Sequence, residues 1–443
     1  MADRYLSFAS TRVGARLTRR LGLPSPVPLR RHRRGAPLVT GPVVVGSAER
    51  ARAEGALREV LDAGGVTVDA RSPRPAALLF DATGIASAAE LDQLHAFFHP
   101  RLRRLAPHGR VVVLGTPPED TARPAQAAAQ RALEGFTRSL AKELRGGATA
   151  HLLLLEPGAE RAESIESTVR FALSARSAYV SGQTLRLMAG APDGPEVDWA
   201  RPLAGRTALV TGAARGIGAA TAEVLHRDGA LVLCLDTPGQ RDELRRVAAR
   251  VGGVPIPLDL TSDEAPDQLL TQFFEASGSL DVLVHNAGIT RDRTLARMPV
   301  DDWRAVLDVN LIAVERLTEA LLPRLNHGGR IVCTSSISGL AGNMGQTNYA
   351  ASKAGLIGLV EELAPIVIDR GITVNAVAPG FVKTRMTAAV PFLVRQAGRR
   401  LNSLGQGGQP VDVAEAVAYL AAPGTSAVSG QVLRVCGQAL LGA

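Results

Sequence analysis

The sequence predicts an α/β protein built from two doubly wound parallel-sheet domains. Three observations carry that expectation. The 443 residues are too many for one compact core. Short apolar runs alternate with helix-length segments, the pattern of a parallel sheet covered by helices on both faces. The alternation occurs twice, with matching residues.

Residues 1–36 form a basic arm with nine arginines between Arg4 and Arg34, which accounts for most of the net charge of +8. The arm is expected to be solvated. The chain has three lysines, Lys142, Lys353 and Lys383, and uses arginine for all its other cations. That bias resembles codon usage more than a phosphate-binding design, so no nucleic-acid partner is expected. No apolar stretch behind the arginines suggests a secretory signal, and no run of about 18 apolar residues suggests a membrane span. Cys234, Cys333 and Cys436 are far apart. They suit neither a disulfide framework nor a metal site, and they fit a reducing cytoplasm.

Residues 37–190 form the first domain, with candidate strands at Pro42–Val45, Ala77–Phe80, Gly109–Leu114 and His151–Leu155. A linker rich in Pro, Gly and Asp follows at 191–202. The second domain, 203–443, has candidate strands at Arg206–Thr211, Leu231–Asp236, Asp281–His285, Arg330–Cys333 and Thr373–Val377. LLFDATG (Leu78–Gly84) matches VLVHNAG (Val282–Gly288), and GRVVVLG (Gly109–Gly115) matches GRIVCTS (Gly329–Ser335). LEPG (Leu155–Gly158) matches VAPG (Val377–Gly380), and YVSGQTLRL (Tyr179–Leu187) matches AVSGQVLRV (Ala427–Val435). Four matches in one order indicate an internal duplication.

TGAARGIG (Thr211–Gly218) follows a strand and opens a helix. Gly212 permits the tight turn, Gly216 admits a dinucleotide pyrophosphate to the backbone, and Gly218 lets helix and strand pack closely. The pyrophosphate then meets free N–H groups at the helix N-terminus. Asp236 ends the next strand, where an acid accepts from the adenosine ribose hydroxyls and repels a 2′-phosphate. This favours NAD(H). Arg215, able to pair with a 2′-phosphate, leaves NADP(H) open.

Tyr349 and Lys353 stand four apart in NYAASKAG, on one helical face. The spacing alone is ordinary. In a chain with four tyrosines and three lysines it is more pointed. A phenol has a pKa of about 10, and a nearby ammonium stabilises its anion. The pair can then pass a proton to a carbonyl oxygen, which Ser336 can also hydrogen-bond.

The glycine turn, Asn286-Ala287-Gly288, Ser336, Tyr349-x-x-x-Lys353 and Pro379-Gly380 together resemble the short-chain dehydrogenase/reductase family, over Arg206 to the C-terminus. The resemblance implies a Rossmann domain and a cofactor cleft that also includes Ile217, Val382 and Thr384. It implies that Asn310 holds a water relaying protons to Lys353. It further implies that Asn286 lines the adenosine side and that Asp259 contacts adenine. His285 departs from the family's usual asparagine. NAGITRD (Asn286–Asp292), GNMGQTNYAASKAG (Gly342–Gly355) and APGFVKTRMT (Ala378–Thr387) resemble 3-oxoacyl-[acyl-carrier-protein] reductases. The layout of the whole chain is similar to their high-molecular-weight form known from actinobacteria. That likeness implies a flavodoxin-like first domain and the use of NADH.

The first domain keeps the scaffold without the chemistry. Gln126 and Gln130 take the places of Tyr349 and Lys353, Thr116 falls near that of Ser336, and the turn from Gly46 to Arg52 carries side chains where a pyrophosphate would lie. The expected function is NADH-dependent reduction of 3-oxoacyl thioesters, carried by acyl-carrier protein or coenzyme A, by a homodimer or homotetramer. Arg291, Arg293, Arg297, Lys383 and Arg385 are the candidate substrate entrance. The alternatives are another secondary alcohol or ketone as substrate, and a non-catalytic protein that senses cofactor.

Overall fold

The computed structural model describes residues 4–9, 11–21, 26–189, 197–276, 278, 280–388 and 392–439. Of the expected linker, 191–196 lies outside them. Two parallel sheets form. The first consists of β1 (Val43–Ser47), β2 (Ala77–Asp81), β3 (Arg110–Gly115), β4 (Thr149–Leu155) and β5 (Gln183–Leu187), in that spatial order. The second comprises β6 (Thr207–Thr211), β7 (Leu231–Asp236), β8 (Val254–Pro257), β9 (Leu280–His285), β10 (Leu325–Thr334), β11 (Thr373–Pro379) and β12 (Val432–Val435). Its order is β12-β11-β10-β9-β6-β7-β8. Every residue of β2, β3, β6 and β9 is buried, as helices on both faces require.

The two orders correspond. β1 to β5 match β6, β9, β10, β11 and β12, and the strands equivalent to β7 and β8 are missing from the first sheet. A single parallel bridge, Val43 to Val68, stands where β7 would be. Counted as a strand it restores the reversal at β1 that makes the sheet doubly wound. The lost half is the one that carries Asp236 in the second sheet.

The chain divides into two compact units. The first joins 1–193 with 390–408 and 436–440, and the second joins 194–389 with 409–435 and 441–443. Two segments expected in the second domain therefore fold with the first. The N-terminal arm, expected as solvated chain, carries helices Arg4–Ala9 and Arg12–Arg20. Gly14 and Thr18, one turn apart, are buried while Arg16 and Arg20 stay exposed. Among the described residues, no helix is long and apolar enough to cross a membrane.

Candidate active site

The site is built on the C-terminal ends of β6, β9 and β10, the crevice where open α/β sheets bind ligands. After β6 the chain turns at Gly212 (φ +66) and Gly216 (φ +62) and enters helix Gly216–Arg227. A Cβ on Gly212 would lie 2.9 Å from Ala287 Cα, and one on Gly218 would lie 2.1 Å from Gly212 O. Both glycines are demanded by packing. A Cβ on Gly216 would meet only Thr384 Cγ2, at 3.9 Å, so the turn leaves open room over the helix N-terminus. Ile217 is half-buried in the first helical turn. These residues fit a dinucleotide pyrophosphate.

Two neighbours hold the turn. Asn286 Nδ2 donates to Thr211 O (3.0 Å) and Gly212 O (3.2 Å), and Thr211 Oγ1 accepts from Asn286 N and Ala287 N, both at 3.0 Å. Asp236 Oδ2 accepts from Ala214 N at 2.9 Å and Oδ1 from Thr237 N at 2.8 Å. The Asn286 side chain thus clasps the glycine turn, and Asp236 shapes it while standing at the end of β7. Arg215 is exposed, 3.4 Å from Gln240 Oε1. Asp259 is exposed and binds Thr261 through both its N–H and its hydroxyl. Thr384 and Thr387 cap each other, Val382 is buried, and Gly380 N donates to Val435 O after Pro379 ends β11.

The reactive side chains converge. Tyr349 and Lys353 lie on helix Thr347–Val367, and Lys353 Nζ is 5.8 Å from the Tyr349 ring centre. Lys353 is buried and donates to Thr334 O at 2.8 Å. Burial pushes its pKa down to about 8. Ser336 caps helix Ile337–Ala341, accepting from Ser338 N at 3.1 Å, and its hydroxyl hydrogen-bonds Tyr349. Burial raises the Tyr349 pKa, the Ser336 bond lowers it, and Asp292 raises it. The sequence suggested that Lys353 lowers it. Here the partial desolvation of the half-buried phenol is the largest influence.

Asn310 is fully buried in a π-turn, Asp308–Ile312. Its Oδ1 accepts from Ile289 N (2.8 Å), and its Nδ2 donates to Ile289 O (3.0 Å) and Ser352 Oγ (3.1 Å). Both ends of the side chain thus have protein partners. A Cβ on Gly288 would stand 3.3 Å from both Asn310 Oδ1 and Lys353 Nζ. A side chain here would crowd both. Arg291, Arg293, Arg297 and Arg385 are exposed and Lys383 is half-buried; the nearest carboxylate to Arg291, Asp302, is 3.9 Å away.

Sequence reading missed Gln346. Its Oε1 accepts from Ser338 Oγ (3.1 Å) and Asn343 Nδ2 (2.9 Å), and its Nε2 donates to Asp292 at 2.8 Å. It thereby joins the loops around Ser336 and Tyr349. A glutamine three residues before the tyrosine was the available signal. Among the described residues, no cluster of His, Cys, Asp and Glu could hold a metal ion.

Residues 212–437 match the family described as Enoyl-(Acyl carrier protein) reductase. Curated relatives include the 3-oxoacyl-[acyl-carrier-protein] reductases of Thermotoga maritima, Vibrio cholerae and Pseudomonas aeruginosa. They are 41%, 41% and 42% identical, each over 53% of this chain and over 98%, 97% and 97% of their own length. The matched half is the one that holds the glycine turn, Ser336, Tyr349 and Lys353. The chain belongs to the short-chain dehydrogenase/reductase family of nicotinamide-dependent oxidoreductases.

Proposed function

We propose that the protein reduces 3-oxoacyl thioesters to 3-hydroxyacyl thioesters with NADH, in the cytoplasm, as a step of fatty-acid synthesis. The observation that carries this is the pairing of two hydroxyls, Ser336 and Tyr349, beside a buried ammonium. Two donors converging on one point suit a ketone oxygen that gains negative charge. The relatives' names support the substrate class.

When bound, the nicotinamide supplies the hydride to the keto carbon. Ser336 orients the carbonyl, and Tyr349 gives its phenolic proton to the oxygen. Lys353, held by Thr334 O, supplies positive charge beneath the phenol as that proton leaves. Asp236 would accept from the ribose hydroxyls, since each of its oxygens keeps a lone pair beyond the Ala214 or Thr237 bond. A 2′-phosphate would meet the carboxylate's charge. Arg291, Arg293, Arg297, Lys383 and Arg385 would greet the phosphates of coenzyme A or an acidic carrier protein. Asn310 and Tyr349 lie on helices suited to a dimer or tetramer contact.

The test is oxidation of NADH by acetoacetyl-CoA. Turnover is expected, with kcat/KM higher for NADH than for NADPH. Turnover of a steroid or sugar ketone in its place would overturn the substrate class. A preference for NADPH would pass the selecting role from Asp236 to Arg215.

A further inference from the structure

We propose that the N-terminal arm docks this protein on an anionic lipid surface, with Val13, Leu17 and Leu21 entering the headgroup region and Arg16 and Arg20 meeting lipid phosphates. The proposal goes beyond the reductase reading and does not depend on it. The arm holds nine arginines from Arg4 to Arg34, and no acidic residue falls between Asp3 and Glu49.

Along helix Arg12–Arg20 the side chains divide by character. Val13 is 74% exposed, Leu17 46% and Leu21 60%. They recur every four residues, and Leu21 extends the last helical turn because its N–H donates to Leu17 O at 3.0 Å. At helical spacing the three share an arc of about 80°. Exposed Arg16 and Arg20 flank one side of that arc, and buried Gly14 and Thr18 flank the other. A Cβ on Gly14 would lie 2.0 Å from Phe8 O, so the glycine lets helix Arg4–Ala9 approach this one. Phe8 is itself 44% exposed.

The arm is fixed to the first unit. Ala9, Gly14 and Thr18 are buried, the Arg400 guanidinium stands 4.3 Å over the centre of the Tyr5 ring, and Gln406 Nε2 donates to Val27 O at 2.7 Å. The apolar ridge is therefore held outward in a set place, and little ordering remains to be done on binding.

A basic amphipathic helix lies in a membrane interface with its apolar residues among the headgroups and its long cations reaching to the phosphates. Charge selects the occupant. A second copy would bring its own arginines against these, because a two-fold contact sets the same patch on both sides. The cytoplasmic face of a membrane is anionic and attracts basic segments that lie against it. An acidic protein would also meet the charge. The apolar residues form a ridge, however, which fluid headgroups accept without a matching groove.

The experiment measures cosedimentation of the full-length protein with phosphatidylcholine vesicles, with and without phosphatidylglycerol. Binding is expected only with phosphatidylglycerol and should weaken as salt rises. Arg16→Gln combined with Arg20→Gln should weaken it about tenfold or more, at roughly fivefold for each arginine near the surface. Val13→Gln combined with Leu17→Gln should also weaken it about tenfold or more, because these side chains leave water on binding. Both double variants should keep the unfolding temperature of the unaltered protein, since all four residues are exposed. Absence of vesicle binding, or binding that Val13→Gln with Leu17→Gln leaves unchanged, would overturn the proposal. Binding to polyglutamate in place of vesicles would also overturn it and assign the arm to an acidic protein. A dimer dissociated by Val13→Gln with Leu17→Gln, with vesicle binding intact, would overturn it in favour of a second copy.

Discussion

At the end of β10 the second unit places Lys353 with its ammonium on Thr334 O, next to the Tyr349 ring and open room over Gly216. At the end of β3 the first unit places Gln130, whose Oε1 accepts from Thr116 N at 2.8 Å. Its Nε2 donates to Ala82 O and Ile85 O, at 3.0 and 2.7 Å. Across the same crevice lies Arg52, donating to Thr83 O (3.1 Å), Thr116 Oγ1 (3.0 Å) and Glu160 Oε1 (2.9 Å). The first cleft is thus closed by side chains that satisfy one another. Structural polar groups are treated alike in both units. Arg110 bonds Ser174 O after one helix, and its counterpart Arg330 bonds Ala422 O after another. The difference teaches that a duplicated sheet keeps the buried groups its packing needs, and falls silent when the groups facing the ligand bind each other.

The largest expected effect sharpens this contrast at the tyrosine. Tyr349→Phe should lower kcat by about 10²–10⁴ while retaining NADH binding, because only the ionisable hydroxyl is lost. Gln126→Ala, at the corresponding place, should leave kcat unchanged. Near-normal turnover in the first variant, or a collapse in the second, would break the comparison.

Next in size is an effect of acid. Burial holds both His151 in the first unit and His285 in the second down to about 3. Unfolded histidine binds a proton as pH falls through about 6.5, whereas these folded ones do not until near 3. Each therefore destabilises the folded state progressively below pH 6.5, by roughly 2 kcal/mol at pH 5, and contributes nothing to pH dependence above it. His285→Asn should lose less stability between pH 7 and 5 than the unaltered protein in urea unfolding. Equal losses would show that His285 titrates freely in the folded state.

The smallest effect concerns the plug. Arg52→Ala should change kcat by less than about twofold, since its partners all belong to the silent cleft. A larger loss, read in the same NADH-oxidation assay, would mean that the first cleft takes part in turnover.

Much of this was legible in the chain. The central strands declared themselves because LLF, VVVL, ALV and VLV are unbroken apolar runs, as two covered faces demand. β8 did not, because VPIP carries two prolines, tolerated where β8 edges the sheet. The glycine turn and the Tyr349–Lys353 spacing are local patterns, so sequence reveals them. The hydrogen bond from the Tyr179 hydroxyl to Gln406 O joins residues more than 200 positions apart, and the assignment of 390–408 to the first unit is equally non-local. Asn286 was read by resemblance as an adenosine contact. That its amide grips Thr211 O and Gly212 O depends on β6 and β9 lying side by side, which no spacing along the chain discloses.

The central claim is one working cleft and one plugged cleft in each chain. Calorimetric titration of the full-length protein with NADH tests it most directly. The account predicts a stoichiometry near one NADH per chain, unchanged by Arg52→Ala and by Gln126→Ala. A stoichiometry near two would contradict it.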